Sequence, residues 1–353
     1  MTYRHLFAGA FIYACTWISA CAVDEPAARD ASGACDEGHD AAKAVTSPSP
    51  LVPRRADPWV LRQGGFYYFI ATVPEYDRIE LRRSTTVAGL ADADAEVIWR
   101  KHATGPMSAH IWAPELHYID GAWIVYFAAG EKEDPWKIRM YALRNASANP
   151  LEGEWQEAGR IATPVDSFSL DATSFTHKGK RYLVWAQYET ENDLGSQLLM
   201  AEQVSATEIR EPVITLTTPT YDWEIQGHKV NEGPAVLKKN GRVFISYSAS
   251  ATDANYAMGL LWADTDADLM DPANWNKAPE PVFHTNPELK RFGPGHNSFT
   301  LAEDGETDLL VYHARDYRDI DGNPLSDGNR ATRVRELHWD ENGMPDFRQA
   351  APD

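Results

Sequence analysis

Five positions in this chain carry side chains able to do chemistry, and they recur in one phase. Asp57, Asp171, Glu232 and His296 stand 8, 8, 9 and 9 residues ahead of a turn glycine (Gly65, Gly179, Gly241 and Gly305), and Trp112 stands 9 ahead of Gly121. Carboxyls brought together by a fold can divide labour, because burial and mutual repulsion keep one protonated while another stays ionised. One acid that protonates a leaving oxygen and one carboxylate that activates water on the opposite face are what glycosidic bond cleavage requires. A third carboxylate can orient the acid and help set its pKa. Singly, these residues read more plainly. Asp57-Pro58 makes a turn, Asp171-Ala172-Thr173-Ser174 an Asx-turn, Glu232-Gly233-Pro234 a strand cap, and His296 a hydrogen-bonded structural residue. Three acids together also suit a cation such as calcium. The shared phase is what raises the chemical reading above these.

The elements that must position them repeat as well. A Gly-containing turn is followed five times by an alternating aromatic or β-branched stretch, as in Gly65-Phe66-Tyr67-Tyr68-Phe69-Ile70 and Gly121-Ala122-Trp123-Ile124-Val125-Tyr126-Phe127. The glycines are spaced by 56, 58, 62 and 64 residues, and each stretch is followed by another short strand, such as Ile138-Arg139-Met140-Tyr141-Ala142. Strands joined by Gly and Asn/Asp turns at such a period indicate blades of antiparallel sheet. The expectation is all-β, a five-bladed β-propeller whose innermost strands line a central channel. A β-sandwich has no reason to repeat this unit five times. On equivalent inner strands, the five phased residues meet at one mouth of the channel.

Composition narrows the partners. The formal charge of -19 over 353 residues repels nucleic acid, anionic lipid surfaces and polygalacturonate, and leaves neutral glycans free to approach. The 12 Trp, 15 Tyr and 12 Phe suit β-rich cores and the apolar faces of sugar rings alike. Arg4 and His5 precede an apolar stretch from Leu6 to Ile18, too short for a permanent membrane span, so the chain is expected to be exported. Ile18-Ser19-Ala20-Cys21 resembles the bacterial lipobox, apart from Ile18 where Leu is commonest. Residues 1–21 are thus read as a lipoprotein-type signal peptide, with a lipid anchor through Cys21 and simple secretion as the alternative. Residues 22–52, rich in Ala, Asp, Ser and Pro, read as a flexible tether, and residues 53–353 as the propeller. The three Cys (15, 21 and 35) all precede it, so its stability rests on its own core.

The motifs Ala56-Asp57-Pro58, Trp112-Ala113-Pro114-Glu115, Leu170-Asp171-Ala172, Asn231-Glu232-Gly233-Pro234 and Gly293-Pro294-Gly295-His296-Asn297-Ser298 resemble those of glycoside hydrolase family 43. The stretches 71–77, 247–256 and Tyr312-His313-Ala314-Arg315 are similar to that family's exo-acting α-1,5-L-arabinofuranosidases. The resemblance implies hydrolysis with inversion of α-1,5-linked arabinan or arabino-oligosaccharides. It implies Asp57 as general base, Glu232 as general acid and Asp171 as the carboxylate that tunes the acid. Trp59, Trp112, Glu115, Phe175, His296 and Arg315 are then expected to contact substrate. His296 is also the candidate contact of a calcium or other ion on the axis, and no organic cofactor is expected. A β-xylosidase or endo-arabinanase on the same scaffold, and a non-catalytic glycan-binding propeller at the cell surface, are the competing readings.

Overall fold

A computed structural model describes residues 48–353. The expected signal peptide (residues 1–21) and the three Cys lie outside the described residues, as does most of the expected tether. Five antiparallel sheets follow one another along the chain. Blade 1 comprises β1 (Ala56–Gln63), β2 (Phe66–Thr72), β3 (Arg78–Ser84) and β4 (Glu96–Arg100). Blade 2 comprises β5 (Ala109–Ile119), β6 (Ala122–Gly130), β7 (Arg139–Asn145) and β8 (Gln156–Arg160). Blade 3 comprises β9 (Ser169–His177), β10 (Lys180–Tyr188), β11 (Ser196–Gln203) and β12 (Ile209–Thr217). Blade 4 comprises β13 (Asn231–Lys239), β14 (Arg242–Ala249), β15 (Ala257–Asp264) and β16 (Asn276–Lys277). Blade 5 has β17 (Phe292–Leu301), β18 (Asp308–Arg315) and β19 (Ala331–Glu336), and a small hairpin of β20 (His338–Trp339) and β21 (Pro345–Asp346) follows. The five-bladed propeller expected from the repeat is the observed architecture.

The inner hairpins explain the spacing. Gly64-Gly65, Asp120-Gly121, Lys178-Gly179 and Asn240-Gly241 are two-residue connections with positive φ at both positions, the type I′ geometry that matches strand twist. Blade 5 instead joins β17 to β18 through a longer turn containing Gly305.

Apolar faces of neighbouring blades pack on one another. Ile70, Val125 and Phe127 share one apolar cluster spanning blades 1 and 2, and Tyr126 and Trp185 share one spanning blades 2 and 3. Val184 and Ile245 share one spanning blades 3 and 4, Phe283 packs edge-on against Tyr312 between 4 and 5, and Phe69 and Val311 share one spanning 5 and 1. The ring is closed by the segment before blade 1. Leu51 and Val52 are buried, and the backbone N–H of Thr332 on β19 donates to the Val52 carbonyl at 2.9 Å. The folded unit therefore includes residues 51 and 52, which the expected tether had claimed, because their apolar side chains complete the core between blades 1 and 5.

Candidate active site

All five inner strands carry the same irregularity at the same place. Ala56 pairs with Thr72 but Trp59 with Ile70, so three steps on β1 span two on β2. The same one-residue excess separates Trp112 from Glu115, Leu170 from Thr173, Glu232 from Ala235 and Gly295 from Ser298. Each is a β-bulge, and each holds a residue with left-handed φ: Asp57 (53°), Ala113 (45°), Asp171 (59°), Gly233 (56°) and His296 (44°). Such backbone costs about 1–3 kcal/mol for a residue with a Cβ, and bulges of this kind re-aim side chains beside active sites. Asp57, Asp171 and His296 occupy the left-handed position itself. Trp112 and Glu232 precede it by one. In blade 4 the left-handed position is glycine, and a Cβ on Gly233 would lie 3.0 Å from the His296 ring, so the imidazole would have to give way.

These five side chains line one pocket of about 680 Å³, within the range typical of ligand sites. The Asp57 carboxylate is buried and held from several sides. Thr72 Oγ1 donates to its Oδ2 at 2.6 Å, and Arg330 Nη1 donates to its Oδ1 at 3.1 Å. The Asp57 backbone N–H donates to His313 Nδ1 at 3.0 Å, which leaves that ring neutral with its proton on Nε2. Burial alone would raise the Asp57 carboxyl, but the charge of the Arg330 guanidinium holds it well below the usual carboxylate range. Glu232 differs. Burial and the charge on Asp57 push it up to about 7, against the opposing hydrogen bond from Tyr256 and the charge of Arg330. Tyr256 Oη donates to its Oε1 at 2.8 Å, leaving Oε2 to carry the proton. Asp171 accepts from the Gly233 N–H at 3.0 Å; burial, then the charges of Glu232 and Asp57, raise it well above its ordinary value. Asp171 and Glu232 thus titrate as a pair.

The topology separates Asp57 from Glu232. Asp57 and Glu232 sit on blades 1 and 4, which are not neighbours, and His296 of blade 5 stands between them on one side. His296 Nδ1 lies 3.4 Å from Asp57 Oδ1 and 4.0 Å from Asp171 Oδ2. Burial lowers its pKa against the pull of Asp57, so the ring is neutral at pH 7. Among the described residues no group of three or more His, Cys, Asp or Glu is arranged to hold a metal ion. One imidazole does not make a calcium site, so the residues present do not fit a protein-ligated ion, and no step below runs through one.

Four of the expected substrate contacts lie elsewhere. Trp59 is beyond the bulge and turned into the seam between blades 1 and 2, its indole N–H donating to the Leu116 carbonyl at 2.8 Å. Phe175 stacks on Tyr182 in the core, with ring centroids 5.3 Å apart. Glu115 is buried among strands, its Oε2 2.9 Å from His117 Nε2. Arg315 is a buried strut that donates to the carbonyls of Thr252, Pro324 and Asp327, fixing two loops that wall the pocket. For Trp59 and Phe175, two and four residues past the left-handed position, the extra residue of the bulge turns the side chain away from the opening. Trp112 does line the pocket, and its buried indole N–H has no hydrogen-bond partner in the protein.

Other pocket residues escaped the sequence reading. Arg330 follows a stretch without strand pattern, and nothing local marks it. Trp136, exposed at the mouth and 6.1 Å from Trp112, and His228 lie on connections whose composition is that of ordinary loops. Arg330→Met removes the cation that holds Asp57 down. The acid limb of the pH–activity profile is expected to move to higher pH, and an unchanged limb would remove Arg330 from that role.

The sequence model of Glycosyl hydrolases family 43 matches residues 48–345. The chain belongs to that family. It is 54% identical over 308 residues to an extracellular exo-α-(1→5)-L-arabinofuranosidase of Streptomyces avermitilis, covering 87% of this chain and 64% of that protein. A protein of the same name from Streptomyces chartreusis is 54% identical over 287 residues, covering 81% of this chain and 88% of that one. The chain thus spans less than two thirds of the first relative and most of the second. The crystal structure of an α-L-arabinofuranosidase from Lactobacillus brevis superposes with a TM-score of 0.84 at 49% identity, covering 87% of this chain and 97% of that one. Within this family 43 propeller, the pocket at the mouth of the channel is the candidate active site.

Proposed function

We propose that this family 43 protein releases L-arabinose from the ends of α-1,5-linked arabinan or arabino-oligosaccharides, with inversion. The observation that carries the reading is the opposite displacement of two carboxyls in one pocket, Asp57 far down and Glu232 up to about 7. Glu232 gives its proton to the glycosidic oxygen as the bond to the anomeric carbon breaks. Asp57 takes a proton from the water whose oxygen forms the new bond on the opposite face. The products are an inverted hemiacetal and a shortened sugar with a free hydroxyl. Asp171 accepts from the N–H of Gly233, the residue after Glu232, and so helps orient the acid, and Trp112 offers its ring face to the furanose. The names of the relatives support arabinose over xylose.

The test is product analysis on linear arabinan, arabinoxylan and aryl glycosides. Arabinose released with the inverted anomer in the first NMR spectra is expected. Xylose release would favour the β-xylosidase reading, internal cleavage the endo-arabinanase, and binding without cleavage the non-catalytic one. Export is supported by the apolar stretch from Leu6 to Ile18 and by the extracellular naming of two relatives. Lipid attachment at Cys21 is part of the same proposal, and mass spectrometry of the mature N-terminus is expected to find it; an unmodified terminus would refute it.

A further inference from the structure

Behind the acid lies a second buried carboxylate with no part in the mechanism above. Glu224, in the short 3₁₀ turn Asp222–Glu224, is fully buried. Its Oε2 accepts from the backbone N–H groups of Thr220 at 2.7 Å and Tyr221 at 2.9 Å. Its Oε1 accepts from Tyr247 Oη at 2.8 Å and Asn231 Nδ2 at 3.0 Å. Lys277 Nζ lies 2.7 Å from Oε1 and 2.8 Å from Oε2, which supplies the compensating charge. Five donors on one carboxylate far exceed what a loop anchor needs, and buried networks this fully satisfied specify one geometry.

The link to chemistry is Asn231, the residue before Glu232 on β13. Alternation along the strand sends Asn231 into this network and Glu232 into the pocket. The Asn231 amide is held at both ends, its Oδ1 accepting from Thr217 Oγ1 at 3.1 Å. A strand pinned on one face cannot rotate about its axis, and that rotation is what would swing Glu232 away from the glycosidic oxygen. We propose that Glu224 is a positioning residue for the acid Glu232, acting through Asn231. This rests on the reading of Glu232 given above.

Glu224→Gln keeps the size but removes the charge and replaces one acceptor by a donor. Tyr247→Phe removes a single donor while leaving the ring over Gly259, whose added Cβ would lie 2.2 Å from it. Each variant is assayed on α-1,5-arabino-oligosaccharides, which need the acid, and on nitrophenyl α-L-arabinofuranoside, whose leaving group needs little. Glu224→Gln is expected to lower kcat on the oligosaccharide about 10- to 100-fold, the scale of a misaimed catalytic group. The aryl substrate should lose less than about 3-fold. Tyr247→Phe should show the same selectivity at smaller amplitude, and it decides the matter if Glu224→Gln does not fold. Equal losses on both substrates, or a rise in KM with unchanged kcat, would overturn the positioning role. A wild-type protein inactive on both substrates would overturn the reading of Glu232, and the positioning role with it.

Discussion

Replacing Glu232 by alanine is expected to lower turnover of α-1,5-arabino-oligosaccharides by about 10²–10⁴-fold, the range that general acid catalysis supplies. The loss on nitrophenyl α-L-arabinofuranoside should be far smaller, because a phenolate departs with little help from a proton. The pH dependence carries the same signature. An acid must be protonated to act, and burial places Glu232 at about 7. Wild-type kcat/KM on the oligosaccharide should therefore fall as pH rises through that value, in a limb reporting the Asp171–Glu232 pair. In Glu232→Ala the residual aryl activity should lack the limb. Equal losses on both substrates would remove Glu232 from the acid role.

Asp57→Asn is expected to remove about 10²–10⁴-fold on both kinds of substrate, because activation of water is needed whatever leaves. Its energetic consequence is just as specific. Arg330 is buried against Asp57, and removing one member of a buried ion pair costs about 3–5 kcal/mol by leaving a charge uncompensated. Asparagine also turns an N–H group toward either Arg330 or Thr72, both of which donate to the wild-type carboxylate. Thermal unfolding should record this loss, while single-turnover assays below the melting range should record the chemical one. The stability contributed by Asp57 is present above its unfolded value of about 3.8 and is lost as pH falls through the depressed folded value. A variant that spares the aryl substrate but not the oligosaccharide would show that Asp57 acts on the leaving group instead.

The fold was legible because a propeller is local. Each blade is a run of hairpins, and its period of about sixty residues, its Gly turns and its alternation are written in neighbouring residues. The convergence of Asp57, Trp112, Asp171, Glu232 and His296 followed from that period alone. What the spacing of 8 or 9 residues concealed was the bulge. Glu232 and Trp112 precede the left-handed residue, while Asp57 and Asp171 are that residue, and all four reach the same pocket. Trp59 and Phe175 face away from the pocket for the same reason, since a one-residue bulge reverses the faces of the residues after it.

The three carboxylates, their common location and the five-bladed ring were determined by sequence, because a repeated unit puts equivalent residues at equivalent places. Which carboxyl holds a proton was decided by tertiary structure. Arg330 comes 273 residues after Asp57 and Tyr256 comes 24 after Glu232, and no local pattern ties either to its partner. Charge and burial act through space, so the contrast between a lowered Asp57 and a raised Glu232 exists only once the ring has closed around them.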